Sequence, residues 1–109
     1  MINDILTAAA VPFKQGRYIS PPAETYAVYF DDVEVSGADP VPSAARLPRV
    51  YTHDARIELY EPMPDEKTET ALEAELDARG LPWTKEDRYW LKDAQRYQVL
   101  YEFTYYTKS

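Results

Sequence analysis

The stretch RVYTHDARIELYEPMPDEKTETALEAELDARGLP, residues 49–82, contains the strand and the helix whose bounds are marked most clearly in this chain. At the centre of the strand, apolar side chains occupy every second position: Ala55, Ile57 and Leu59. This period is typical of a strand with one buried and one wet face. Pro62 and Pro64 cannot continue a ladder of hydrogen bonds, so the strand is predicted to span 49–61.

A helix is predicted immediately after these prolines, from Asp65 to about Arg79. Leu72 and Leu76 lie four residues apart and share one face. Asp65 is a good N-cap residue, and Gly80 favours the left-handed conformation that ends many helices.

Upstream, helical spacing of Ile2, Leu6 and Ala9 predicts a short amphipathic helix over 2–10, which Pro12 should stop near Val11. The following residues, 13–24, read as an extended connector with a turn.

Next, the β-branched and aromatic run TYAVYF, residues 25–30, predicts a strand. Residues 33–35 either continue it past a bulge or form a short edge strand. The stretch 36–48 contains three prolines and is predicted to be a long exposed loop.

Downstream, a strand is predicted over 83–90, a hairpin turn at Lys92-Asp93, and a long strand over 96–107. The resulting order, α-β-β-α-β-β, predicts an α+β fold in which a mostly antiparallel sheet of four to five strands packs against two helices. The length of 109 residues suits a single domain, 1–109.

Composition and charge exclude several classes of function. A net charge of −7 provides no basic footprint for nonspecific binding of DNA. The chain has no cysteine, which removes disulfides and thiolate chemistry and fits a reducing cytoplasm. No apolar run approaches the roughly 18 residues of a membrane span. The first ten residues lack the basic region of a signal peptide.

Candidate catalytic and metal sites are weak in this sequence. His53 beside Asp54 can orient a general base, but no nucleophile-elbow serine accompanies it, and a lone exposed strand histidine is the preferred interpretation. Asp31 and Asp32 can bind a divalent cation, but neighbouring strand residues point to opposite faces. We therefore expect no enzyme activity, no metal and no cofactor.

Aromatic and basic residues alternate in the C-terminal third, from Trp83 to Tyr106. This pattern can stack single-stranded nucleic acid, but nearby carboxylates cancel much of the positive charge. Core packing together with a protein interface is the preferred interpretation.

Several short segments together resemble the tail terminator or tail-completion proteins that are encoded between the head and tail genes of long-tailed phages and prophages. The segments are Tyr26-Ala27-Val28-Tyr29, Ser36-Gly37-Ala38-Asp39, Arg56-Ile57-Glu58-Leu59-Tyr60, the helix through Leu72 and Leu76, and Tyr97-Gln98-Val99-Leu100-Tyr101-Glu102. The resemblance covers roughly residues 11–103. The Pro- and Ala-rich loop from Pro40 to Pro48 departs from the pattern.

This resemblance implies a structural subunit of a virion, assembled in the host cytoplasm. Such proteins form a ring, commonly a hexamer, at the head-proximal end of the tail tube. The ring stops tube growth and provides the surface on which the head connector docks, while DNA passes through its lumen. A negative lumen would not retain the phosphate backbone. The implied partners are copies of the chain, the tail-tube protein and the head connector protein.

The loop region from Asp31 to Arg49 and the face from Trp83 to Trp90 are the predicted contacts with copies or partners. The candidate interface residues are Asp31, Asp32, Glu34, Asp39, Arg46, Arg49, Trp83 and Trp90. Two alternatives stay open: a head-completion or connector-adaptor protein of the same gene block, and an acidic monomeric module that docks on a basic partner protein.

Overall fold

In the part of the chain that the structure describes, two helices and six strands form an α+β structure, which confirms the predicted fold class. A computed structural model describes residues 1–36 and 49–108 of the chain. The elements are α1 (Ile2–Ala8), β1 (Phe13–Gln15), β2 (Tyr26–Ser36), β3 (Val50–Glu61), α2 (Glu66–Ala78), β4 (Trp83–Lys85), β5 (Tyr89–Leu91) and β6 (Arg96–Lys108). The strands follow the order β1-β2-β3-β6-β4, and β5 also pairs with β6.

Three long antiparallel strands, β2, β3 and β6, carry the sheet. The pairing of β2 with β3 is continuous from Tyr26 opposite Tyr60 to Ser36 opposite Val50, so β2 contains no bulge and 33–35 simply continues the strand. The pairing of β3 with β6 is continuous over the full length of β3. We call the end of the sheet that holds Ser36, Val50 and Lys108 the distal end.

Both helices lie on the same face of the sheet and bury a shared core. Apolar side chains of α1 and α2 meet alternate residues of the strands there: Ile2, Ile5, Leu6, Leu72, Leu76, Ala27, Ala55, Ile57, Leu59, Val99, Tyr101 and Phe103. Ala55, Ile57 and Leu59 are therefore buried on one face of β3, as their alternation in the sequence predicted, because successive strand residues point to opposite faces. We call the face away from the helices the open face.

Each helix is followed by a residue in the left-handed conformation, and the N–H of the next residue donates back to the carbonyl five residues earlier. In α2, Asp65 accepts a hydrogen bond from the N–H of Thr68 (3.1 Å), and Gly80 follows the helix at a φ of +68°, as predicted. In α1, Ala10 takes the left-handed position at a φ of +58°. The N–H of Val11 then donates to the carbonyl of Leu6, so the helix ends at Ala8, before the predicted residue.

Two other predictions need correction. The strand predicted over 83–90 is two three-residue strands, because the pairing of β5 with β6 is shifted by one residue relative to that of β4. The connector 13–24 begins with β1, which pairs with β2 in parallel and adds a strand. The turn at Lys92-Asp93 joins β5 to β6 as predicted. Most of the predicted loop, 37–48, lies outside the described residues.

Candidate assembly surfaces

The outer edge of β2 is covered by β1 along only part of its length. Ala27 donates its N–H to the carbonyl of Pro12 (2.8 Å), and the carbonyl of Tyr29 accepts from Gly16 (3.0 Å), so odd-numbered residues of β2 direct their backbone groups outward. Because β2 has no bulge, the backbone N–H and C=O groups of Val33 and Val35 also point away from β3. No described residue pairs with the free β2 edge, which we define as residues 31–36.

The outer edge of β6 is free at the same end of the sheet. The carbonyl of Leu100 accepts from the N–H of Glu86 (3.0 Å), so even-numbered residues of β6 direct their backbone N–H and C=O groups away from β3. Pairing with β4 stops at Trp83, opposite Phe103, because Pro82 precedes it and has no N–H to donate. Residues 104–108, the free β6 edge, have no partner strand among the residues that the structure describes.

The open face carries more carboxylates than cations. In strand positions 28–34, 52–58 and 100–106, its acidic residues are Asp32, Glu34, Asp54, Glu58 and Glu102, against one basic residue, Arg56. Asp32 lies directly opposite Asp54 across the two strands. Like charges in this position are destabilising, so this pair lowers the stability of the isolated chain.

A shallow depression of about 460 Å³ lies in the middle of the open face. Its floor and rim include Phe30, Arg56 and Glu102. The guanidinium of Arg56 lies over the Phe30 ring, 4.5 Å from its centroid, and its Nε is 3.0 Å from Oε2 of Glu58. These contacts pair Arg56 with Glu58, whereas no described cation lies within ion-pair distance of Asp32, Glu34, Asp54 or Glu102.

A network of charged side chains around two buried carboxyl groups, those of Glu61 and Glu69, joins α2 to the β4–β5 edge on the helix side. Nε of Arg88 donates to Oε1 of Glu61 (3.1 Å), and its Nη2 donates to Oε2 of Glu69 (2.5 Å). Nζ of Lys85 donates to Glu73 (2.8 Å) and lies 2.9 Å from Oε1 of Glu69. Three carboxyl groups thus share two cations, and we call these five residues the carboxylate network.

Protonation inside this network is perturbed. Burial, together with the neighbouring Glu69 carboxyl, raises the pKa of Glu61 to about 7. Burial also raises the pKa of Glu69, but hydrogen bonds from Glu61, Arg88 and Lys85 outweigh it and lower that pKa below its ordinary value. At pH 7 Glu61 is therefore about half protonated while Glu69 stays ionised, and at mildly acidic pH the pair holds one proton, which offsets the excess negative charge.

His53 belongs to a second polar cluster, and this corrects its predicted environment. Its side chain is only 14% exposed, and its Nδ1 lies 3.0 Å from Oδ1 of Asp31 rather than near the adjacent Asp54. The ring stacks on Tyr105 (4.3 Å between centroids), whose hydroxyl also donates to Asp31 (2.7 Å). His53 and Asp54 face opposite sides of the sheet, so they cannot act as a pair.

The predicted interface residues fall into different environments. Asp32 and Glu34 are exposed on the open face, and Arg49 is exposed just before β3. Asp31 is engaged by His53 and Tyr105 on the opposite face. Asp39 and Arg46 lie outside the described residues.

The two tryptophans also differ. The indole N–H of Trp83 donates to Asp77 (2.8 Å), and its ring packs against Tyr101 at the edge of the core. Trp90 is 45% exposed and touches Tyr97 edge-on. Of the pair, Trp90 therefore has more surface available for a partner.

Sequence reasoning did not find the two free edges or the carboxylate network. The network had a signal in the helix, because Glu69 and Glu73 lie at helical spacing beside Leu72 and Leu76. The buried Glu61, which follows the last apolar strand position by two residues, was a further signal. The free edges depend on where β1 and β4 end, which no local pattern fixes.

Across residues 1–36 and 49–108, no three His, Asp or Glu side chains come together as they do around a metal ion. No helix in this described part is both long and apolar enough to cross a membrane.

No protein-family model matches this chain, and no curated protein matches it either. A solved chain of the virion of a native gene transfer agent (GTA) particle has a similar fold, with a TM-score of 0.59. The likeness covers 96% of this chain and 84% of that chain, at 15% sequence identity. At this identity the likeness shows a similar fold and nothing further.

Proposed function

We propose that this chain is a structural subunit of a phage-like particle and, more specifically, a tail terminator. In this role copies form a ring on the head-proximal end of the tail tube, stop its growth, and offer the surface on which the head connector docks. The observation that carries the proposal is the fold shared with a chain of a gene transfer agent virion over 96% of this chain. The resemblance of its sequence segments to tail terminators is the reason for proposing this position in the particle.

The surfaces of the chain support assembly better than catalysis. Two free strand edges at one end of the sheet provide backbone donors and acceptors for neighbouring subunits. They lie on opposite sides of β3, which is the arrangement needed for head-to-tail contacts around a ring. The charged clusters, in contrast, are built from mutually paired side chains. The proposed role therefore needs no catalytic residue and no cofactor.

The acidic open face fits the passage of DNA. If this face lines the lumen, Asp32, Asp54 and Glu102 repel phosphates and keep the DNA from binding to the wall. The same face favours a second candidate function, an acidic monomer that docks on a basic protein partner, because uncompensated carboxylates also suit such a contact.

The test combines the purified chain with tail tubes assembled from the tail-tube protein of the same gene cluster. Light scattering measures the mass of the chain in the absence of tubes, and electron microscopy shows whether it binds to the tube ends. Rings on one end of the tubes, together with arrested tube growth, are expected. Binding to purified head connectors without any binding to tubes would replace the terminator with an adaptor role. A persistent monomer that ignores both, yet captures one basic protein, would favour the second candidate.

A further inference from the structure

We propose that the ring is closed by β-sheet pairing between copies, in which the free β2 edge of one subunit adds to the free β6 edge of the next. This inference rests on the proposed function for the ring itself and specifies the surfaces that build it. The occupant of each edge is thus a second copy of the same chain, and the contact is head-to-tail.

Backbone geometry makes the two edges compatible. The outward groups of Asp31, Val33 and Val35 and those of residues 104, 106 and 108 occupy the same stretch of the sheet, since Asp31 lies level with Phe103 through Ala55. Both strands run antiparallel to β3 and hence in the same direction as each other. A neighbour related by the modest rotation of a ring therefore meets the edge as a parallel strand.

Charge favours this pairing over the alternatives. The free β2 edge holds three acidic residues and no basic one, whereas the free β6 edge holds Lys108 and no acidic residue. Pairing two β2 edges would bring six carboxylates together, and pairing two β6 edges would oppose two lysines. In the β2–β6 contact, Glu34 and Lys108 share the open face of a continuous sheet and lie close to one another across the interface.

Exposed apolar side chains support the same contact. Val33 and Val35 are 49% and 48% exposed, and Tyr106 is 68% exposed. On the helix side of a continuous sheet, the exposed Thr107 of the next copy and the edge of its nearly buried Tyr105 lie beside the two valines and cover them, while Tyr106 projects from the open face. An edge of this kind is otherwise open to uncontrolled pairing, so a specific occupant also protects the chain from aggregation.

Proline substitutions provide a sharp test because they remove one outward N–H without touching the ladder to β3. We expect Val33→Pro and Tyr106→Pro each to stay monomeric at concentrations where the native chain forms rings, in solution or on tubes. Mixed together, they should form a heterodimer, since each variant retains the edge that the other has lost. Val33→Thr and Tyr106→Phe keep both N–H groups and should assemble normally.

A second pair of variants covers the case in which a proline disturbs folding. Glu34→Lys and Lys108→Glu should each weaken assembly at least tenfold, and the double exchange should restore most of it. Rings that survive both prolines and both charge variants would overturn the edge pairing and leave the tail terminator intact. A native chain that forms no ring, alone or on tubes, would instead remove the proposed function and this inference with it.

Discussion

The carboxyl group of Glu61 is completely buried at the end of β3, and Nε of Arg88 reaches it across 3.1 Å. Arg88 also binds Glu69, so one side chain from the β4–β5 connection holds two carboxyl groups of different elements in place. This contact ties the broken edge strand to the helix layer, and its energetics can be measured.

Removing Arg88 should be among the most damaging polar substitutions in the chain. Arg88→Met leaves two buried carboxyl groups without their shared donor, and we expect a loss of roughly 3 kcal/mol in the free energy of unfolding. Urea denaturation at pH 7.5 measures it. Arg79→Met is the matched control, because Arg79 makes only a partly exposed pair with Glu75 at 3.6 Å, and it should cost under about 0.5 kcal/mol. Equal losses in the two variants would contradict this account.

The stability should also depend on pH through Glu61. Its pKa rises from the usual carboxyl range to about 7 on folding, so the folded chain binds this proton more tightly than the unfolded chain does. Its contribution to stability is therefore present at low pH and disappears between about pH 4.5 and pH 7.

Glu61→Gln should remove this part of the pH dependence, because the amide cannot titrate yet can still accept from Arg88 and donate to Glu69. Denaturation midpoints at pH 5 and pH 8 should lie closer together in this variant than in the native chain. Glu66→Gln changes an exposed carboxyl of the same helix region and should leave the native difference intact. A native pH dependence that persists in Glu61→Gln would assign it to other groups.

The left-handed residue that ends α1 offers a stabilising substitution. Ala10 is exposed and has a φ of +58°, a region that a residue with a Cβ occupies at a cost of about 1 kcal/mol. Ala10→Gly should raise the free energy of unfolding by about 0.5 kcal/mol, after the greater freedom of glycine in the unfolded chain is counted. Ala8→Gly, at the last residue of the same helix, should lower it by about 0.5 kcal/mol. Thermal melts of both variants decide, and the same sign in both would refute the explanation.

The facing carboxylates of the open face should limit the stability of the isolated subunit. Asp32→Asn removes the repulsion with Asp54 and should stabilise the monomer by about 0.5 kcal/mol at low salt, with less gain in high salt. Glu34→Gln, opposite Thr52, is the control and should change little. No gain in Asp32→Asn would mean that solvent already screens this pair.

Local patterns predicted the fold well where a residue acts on its own neighbours. Asp65 and Gly80 bounded α2 correctly, and the alternation through Ile57 assigned the buried face of β3. Patterns failed where the outcome depends on distant partners. Nothing near Ala10 indicates a left-handed alanine, and the three residues of β1 become a strand only because Tyr29 and Ala27 offer them an edge.

The candidate surfaces were predictable only in part. The acidic character of Asp32 and Glu34 and the exposure of Trp90 agree with a role at an interface, which stays a prediction for each of them. Asp31 could not be judged from its neighbours, since the groups that bind it, His53 and Tyr105, come from two other strands. The free edges are likewise a property of the assembled sheet.

The alternating direction of backbone groups in the free β2 edge also predicts an alternating pattern of amide hydrogen exchange. In the separate chain, the amides of Val33 and Val35 have no partner strand among the described residues and should exchange with deuterium quickly, while those of Asp32 and Glu34 point into the ladder with β3 and should exchange slowly. Spectra of the single subunit would thus show fast and slow signals at every second residue. On entering a particle the fast set would become slow, so that the same amides report, residue by residue, the moment at which a subunit is incorporated.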